Sequence, residues 1–161
     1  MRPRELIIDG YNLLYAIRKS AFSRLPHDLL RARGELLALL ERYAYDEKRR
    51  LIVVFDNKLT PAPESYSTAR IRVEFTNPSQ NADEWIRAYV ESHAHPFLLT
   101  VVSSDIEIAR FVKAMGALPL RSEEFAIELF GQAKDAEKPD ALLNDAEVQK
   151  WAKIFEMGRK P

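Results

Sequence analysis

Continuous apolar runs alternate along this chain with segments whose apolar residues recur every three to four positions. Leu6-Ile7-Ile8 is a short run closed by Asp9-Gly10, and a helix is expected from about Asn12 to Arg18. Between Asp28 and Asp46, Leu29, Leu36, Leu37, Leu40, Tyr43 and Ala44 fall on one stripe of a long helix. Arg50 to Phe55 is a second buried strand, ending in Asp56-Asn57. Ile71, Val73 and Phe75 alternate with charged residues, the pattern of a more exposed strand. Asn81 to His93 reads as a helix with Trp85, Ile86, Tyr89 and Val90 inward, and Phe97 to Val102 as a buried strand. A helix from Asp105 to Met115, a short strand from Ala117 to Leu120 and a helix from Glu123 to Phe130 follow. A last amphipathic helix, Asn144 to Met157, carries Val148, Trp151, Ala152 and Phe155 on one stripe.

Strands that are apolar on both faces and alternate with helices predict an α/β fold. The expected architecture is a mostly parallel central sheet of about five strands with helices on both faces. The 161 residues suit one domain, expected over 1–135, with 136–161 as a linker and an amphipathic helix packed on it. No segment is long and apolar enough for a membrane span or a signal peptide. The chain has no cysteine, which excludes a disulfide scaffold, a thiol nucleophile and a thiolate zinc site. Both features favour a cytoplasmic location.

Charge changes the picture locally. Lysine plus arginine equals aspartate plus glutamate, 24 each, so nucleic acid cannot be held by bulk positive charge. The stretch from Met1 to Lys58 nevertheless has 12 basic and 8 acidic residues, while Leu59 to Val112 has 4 basic and 7 acidic. A basic face beside an acidic site is compatible with that asymmetry.

Three of the predicted buried strands run into an aspartate: Asp9, Asp56 and Asp105. In a parallel sheet their C-terminal ends lie along one edge, where ligands bind. Asp83 sits in the first turn of the helix that leads into the Phe97 strand, so its side chain is expected at the same edge. Clustered carboxylates raise one another's pKa until a cation neutralises them. Mg²⁺ or Mn²⁺ suits oxygen ligands, activates water and stabilises charge on a phosphoryl group in transfer. Each aspartate also has a structural explanation. Asn81 to Glu84 and Ser104 to Glu107 both read as capping boxes, and Asp9-Gly10 and Asp56-Asn57 as turn pairs. Asn12 is either an N-cap or an amide that holds Asp9 or a water, and Ser103 and Ser104 are candidate phosphate contacts or caps.

The elements Ile8-Asp9-Gly10-Tyr11-Asn12-Leu13, Val53-Val54-Phe55-Asp56, Ala82-Asp83 and Ser103-Ser104-Asp105, in this order and spacing, resemble the NYN-domain family. Gly116 to Phe125 and the closing helix around Trp151 and Phe155 resemble its YacP-like branch. The resemblance implies a PIN-like three-layer fold and a metal-dependent endoribonuclease. It carries Asp9, Asp83 and Asp105 over as the acidic site, Asp56 as an accessory metal carboxylate and Asn12 as the family's asparagine. It also implies messenger RNA as substrate and the ribosome as a partner. Two positions depart from the family pattern: Asn81 replaces a usual threonine and Ala109 a common glutamine, both flanking the site.

Single-stranded RNA is held by phosphate contacts and by stacking on aromatic rings. Candidate contacts are Tyr11, Ser103, Ser104, Lys58, Arg70 and Arg121, with Arg33 among the cations around the first helices. No histidine is placed as a general base, which favours metal-activated water. The alternative is a non-catalytic RNA- or ribosome-binding module on the same fold. A phospho-receiver is disfavoured because Arg121 stands where a lysine is wanted, and no Gly-rich phosphate loop occurs.

Overall fold

The computed structural model describes residues 5–20, 25–57 and 67–137, with side chains described to Phe130. Five strands and five α-helices follow in the order β1 (Glu5–Asp9), α1 (Gly10–Lys19), α2 (Leu29–Glu47), β2 (Arg50–Phe55), β3 (Ile71–Phe75), α3 (Ala82–Ser92), β4 (Leu99–Val102), α4 (Ile106–Ala114), β5 (Leu118–Leu120) and α5 (Ser122–Glu137). All strand pairs are parallel, in the spatial order β3-β2-β1-β4-β5. Strand order reverses between β1 and β4. That is the switch point at which doubly wound sheets open a crevice beyond their C-terminal ends.

The period of two along each strand divides the core into two layers. Leu6, Ile8, Leu51, Val53, Phe55 and Val102 pack with α1, α2 and α5 on one face. Ile7, Ile52, Val54, Leu99 and Val101 pack with Ala82, Ile86 and Val90 of α3 and Ile108 and Val112 of α4 on the other. This is the expected three-layer sandwich. Sheet register brings Asp9 opposite Val54 of β2 and Ile8 opposite Val102 of β4, so β1, β2 and β4 end at one level.

Three local expectations change. Phe97 and Leu98 belong to a 3₁₀ turn over Pro96–Leu98, because proline fixes the start of a tight turn, and the strand begins at Leu99. Helix α1 starts at Gly10 without a connecting turn. Helix α5 continues to Glu137 instead of ending at Phe130. The expected Asn144–Met157 helix lies outside the described residues.

Candidate active site at the carboxyl edge of the sheet

Strand β1 passes directly into α1, and Asp9 is the hinge between them. Its carboxylate caps the helix by accepting the backbone N–H of Asn12 at 3.3 Å. This junction needs a glycine next. A Cβ at residue 10 would overlap the ring of Phe55, which packs against the first turn of α1. Burial pushes the Asp9 carboxyl up to about 6, against the lowering effect of the Asn12 N–H, and the charges of Asp83, Asp105 and Asp56 push the same way as burial. The four predicted aspartates therefore do reach one electrostatic neighbourhood.

Asn12 is neither the N-cap nor a partner of Asp9 through its side chain. It lies in the first turn of α1, and its Oδ1 accepts the backbone N–H of Ser104 at 2.9 Å and the hydroxyl of buried Ser122 at 2.6 Å. One amide oxygen thus ties α1 to the β4–α4 loop and to the start of α5. Asp105, not Ser104, caps α4, accepting the N–H groups of Glu107 and Ile108 at 2.8 and 3.4 Å. Ser103 is buried and its Oγ accepts the Asp105 N–H, which fixes the turn that presents Asp105 to solvent. The Ser104 hydroxyl instead donates to Glu123 at 2.7 Å.

Asp83 stands in the first turn of α3, behind the Asn81–Glu84 capping box, which forms as expected. One of its oxygens accepts the Arg87 Nε at 2.8 Å. Arg87 also lies over the Phe111 ring of α4, 5.2 Å from its centroid, and feels the charges of Glu107 and Asp105. A cation therefore stands within the acidic group. Sequence reading missed it, although the spacing Asp83-x-x-x-Arg87 is that of a helical ion pair. Asp56 follows β2 directly, and Thr76 ties the ends of β2 and β3 by accepting from Asn57 and donating its N–H to Phe55.

Several expected RNA contacts are elsewhere. Tyr11 is buried, 3% exposed, and meets Phe55 edge-on at 4.9 Å, so its ring is core and offers no face to a base. Arg70 precedes β3 and lies over the Tyr45 ring, at the opposite, N-terminal edge of the sheet. Arg33 is buried and lies over Phe75. Arg121 does reach the acidic edge, at the end of β5, paired with Glu123 at 3.4 Å. Lys58 lies outside the described residues.

The donors at this edge are carboxylate oxygens, and the charge crowded at Asp9 is what a cation would relieve. That chemistry suits a hard divalent ion. The expected cage is not preassembled: among the described residues no three acids or histidines stand together as a metal-binding group. Asp105 is committed to its cap and Asp83 to Arg87. An ion of the Mg²⁺ kind retains several waters and needs only one or two carboxylates, so Asp9 with one neighbour meets its requirement.

The model of the YacP-like NYN domain matches residues 6–156. The chain belongs to the YacP-like NYN domain family. The family is nuclease-like and RNA-related. Two solved structures share the architecture. Rae1 (YacP) from Bacillus subtilis is 24% identical, with 99% of this chain and 95% of that one covered and a TM-score of 0.59. A tryptophan-to-leucine variant of the same protein is 21% identical, covering 94% and 91%, with a TM-score of 0.65. At these identities the likeness concerns the fold. No curated protein matches the chain. No helix among the described residues is long and apolar enough to cross a membrane.

Proposed function

We propose that this NYN domain is a metal-dependent endoribonuclease that hydrolyses phosphodiester bonds of single-stranded RNA. The observation that carries this reading is the electrostatic meeting of Asp9, Asp56, Asp83 and Asp105 at the strand-order switch, where burial first, and the three neighbouring charges after it, push the Asp9 carboxyl up to about 6. Asp9 holds the ion, with Asp83 or Asp105 as its nearest help and Asp56 as an accessory charge. A bound Mg²⁺ or Mn²⁺ supplies neutralisation of the carboxylates, activation of water and stabilisation of charge on the phosphoryl group. Asn12 keeps the β4–α4 turn and α5 in register with Asp9. Arg87 offers Asp83 a counter-charge that a phosphate can share. Messenger RNA on the ribosome, in the cytoplasm, is the proposed natural setting. The nuclease domain is proposed to span 1–135, with 136–161 as a C-terminal addition.

A second reading is favoured by Arg87. A cation that already pairs with Asp83 reduces the demand for a metal, as in a non-catalytic RNA- or ribosome-binding module. One experiment separates the two. Purified protein is mixed with naked RNA and with translating ribosomes, each with Mg²⁺, Mn²⁺ or chelator, beside Asp9→Asn. Chelator-sensitive scission lost in the variant is expected. Binding without scission in every mixture would establish the module instead.

A further inference from the structure

We infer that the cleft between α4 and β5 binds the sugar-phosphate backbone of single-stranded RNA next to the acidic centre. The inference rests on the RNA reading above and adds the track the strand follows. The cleft has a volume of about 200 Å³ and opens beside Asp105. Its walls include Ser103, Ile106, Arg110, Lys113 and Arg121. Helical spacing explains one wall: Ile106, Arg110 and Lys113 follow at intervals of four and three, so α4 presents them on one face. The opposite wall is the end of β5, where Arg121 emerges.

Three cations therefore converge on one small cleft in a chain with no net charge. Arg110 and Lys113 are exposed, and among the described residues neither forms an ion pair. By contrast, Arg42, Arg72 and Arg87 are each matched to an acid on their own element. Arg121 shares its charge with Glu123, which also accepts the Ser104 hydroxyl. Guanidinium and ammonium groups so placed are suited to phosphate oxygens. Ile106, 66% exposed at the start of α4, adds an apolar surface for a ribose or a base. The cleft runs from the carboxylate that would face the reacting phosphate to cations that would hold its neighbours. A neutral protein can thereby grip a polyanion locally.

The test is the affinity of the full chain for a fluorescent oligouridylate of about 12 nucleotides, measured in chelator over a series of salt concentrations. The comparison is with Arg110→Gln/Lys113→Gln/Arg121→Gln and with Arg42→Gln, a cation exposed on α2. Each phosphate contact on a single strand contributes about 0.7 to the salt slope, so the triple variant should lose about 2 from that slope. It should bind at least about tenfold more weakly at low salt while melting within a few degrees of the wild type. Arg42→Gln, on α2 at the other face of the sheet from α4, should bind as tightly as the wild type. Inorganic phosphate should not compete at concentrations that exceed the RNA by orders of magnitude, and competition by it would identify an ion site and overturn the track. Unchanged affinity and slope in the triple variant would overturn the cleft alone and leave the nuclease reading standing. A wild type that fails to bind RNA at low salt overturns the cleft as an RNA track, while the nuclease reading is decided separately by scission in the presence of translating ribosomes.

Discussion

The β1–α1 and β4–α4 junctions have the same local design and opposite surroundings. In each, a parallel strand ends at the carboxyl edge and an aspartate caps the helix that follows. At Asp9 the strand enters the helix at once, Phe55 closes over the turn, and burial raises the carboxyl. At Asp105 a serine turn intervenes, the aspartate is exposed, and a cationic cleft begins. The capping motif alone does not decide what a carboxylate can do. Its packing does, by setting how costly the negative charge is before a cation arrives.

The largest expected effect separates these junctions at Asp9. Asp9→Asn should reduce scission by more than about a thousandfold, a loss typical of removing a group central to charge stabilisation. The same change should stabilise the metal-free fold. The folded Asp9 loses its proton at about 6 and the unfolded one near 3.8, so the folded state holds more protons between those values. Stability of the wild type therefore falls as pH rises through that window, and the full cost is present above pH 6. A shift of this size corresponds to about 3 kcal/mol, and asparagine keeps the helix cap. Thermal melts without metal should show the variant ahead at pH 8 and the difference gone below pH 4. A variant that melts lower than the wild type at pH 8 contradicts the assigned burial.

The next effect concerns packing. Gly10→Ala forces a methyl group into the Phe55 ring and should cost about 1–3 kcal/mol in denaturant unfolding. Ile106→Ala, at the equivalent first position of α4, is exposed and should change stability by no more than about 0.5 kcal/mol. Equal effects at the two positions would erase the contrast between a closed and an open junction.

Asn12 links the junctions. Asn12→Ala leaves the Ser104 N–H and the Ser122 hydroxyl without their acceptor and should cost about 1–2 kcal/mol. Scission should fall as well, because the β4–α4 turn is released. Asn12→Leu restoring full activity would show that the brace is irrelevant to the site. The smallest effect is expected from Arg87→Gln. Its pair with Asp83 is partly exposed, so the melting temperature should hardly change. Divalent-ion affinity should rise by a few-fold as Asp83 loses its competing partner, a result that calorimetric titration can read.

The layers of this fold were legible because burial on both faces of β1, β2 and β4 leaves apolar runs, and the helices keep their stripes. The Asn81–Glu84 box and the convergence of Asp9, Asp56, Asp83 and Asp105 follow from the same local signals combined with parallel strand direction. What escaped was contact between residues far apart in the chain. Tyr11 was a candidate base platform until Phe55 covered it. Asn12 finds its partners 92 and 110 residues away, so no local rule could separate brace from cap. Arg70 sits beside a strand start, and strand direction alone would have sent it to the far edge. Arg110 and Lys113 share one face of α4, but their common cleft requires β5 as its second wall, which helical spacing does not reveal.

The nuclease reading requires Asp9 to anchor a divalent ion. The most direct measurement is a titration of Mn²⁺ into the chain near pH 7.5, with free ion read by electron paramagnetic resonance. Saturable binding in the wild type that disappears in Asp9→Asn is the predicted result. Equal Mn²⁺ uptake by both proteins, or none by either, would contradict it.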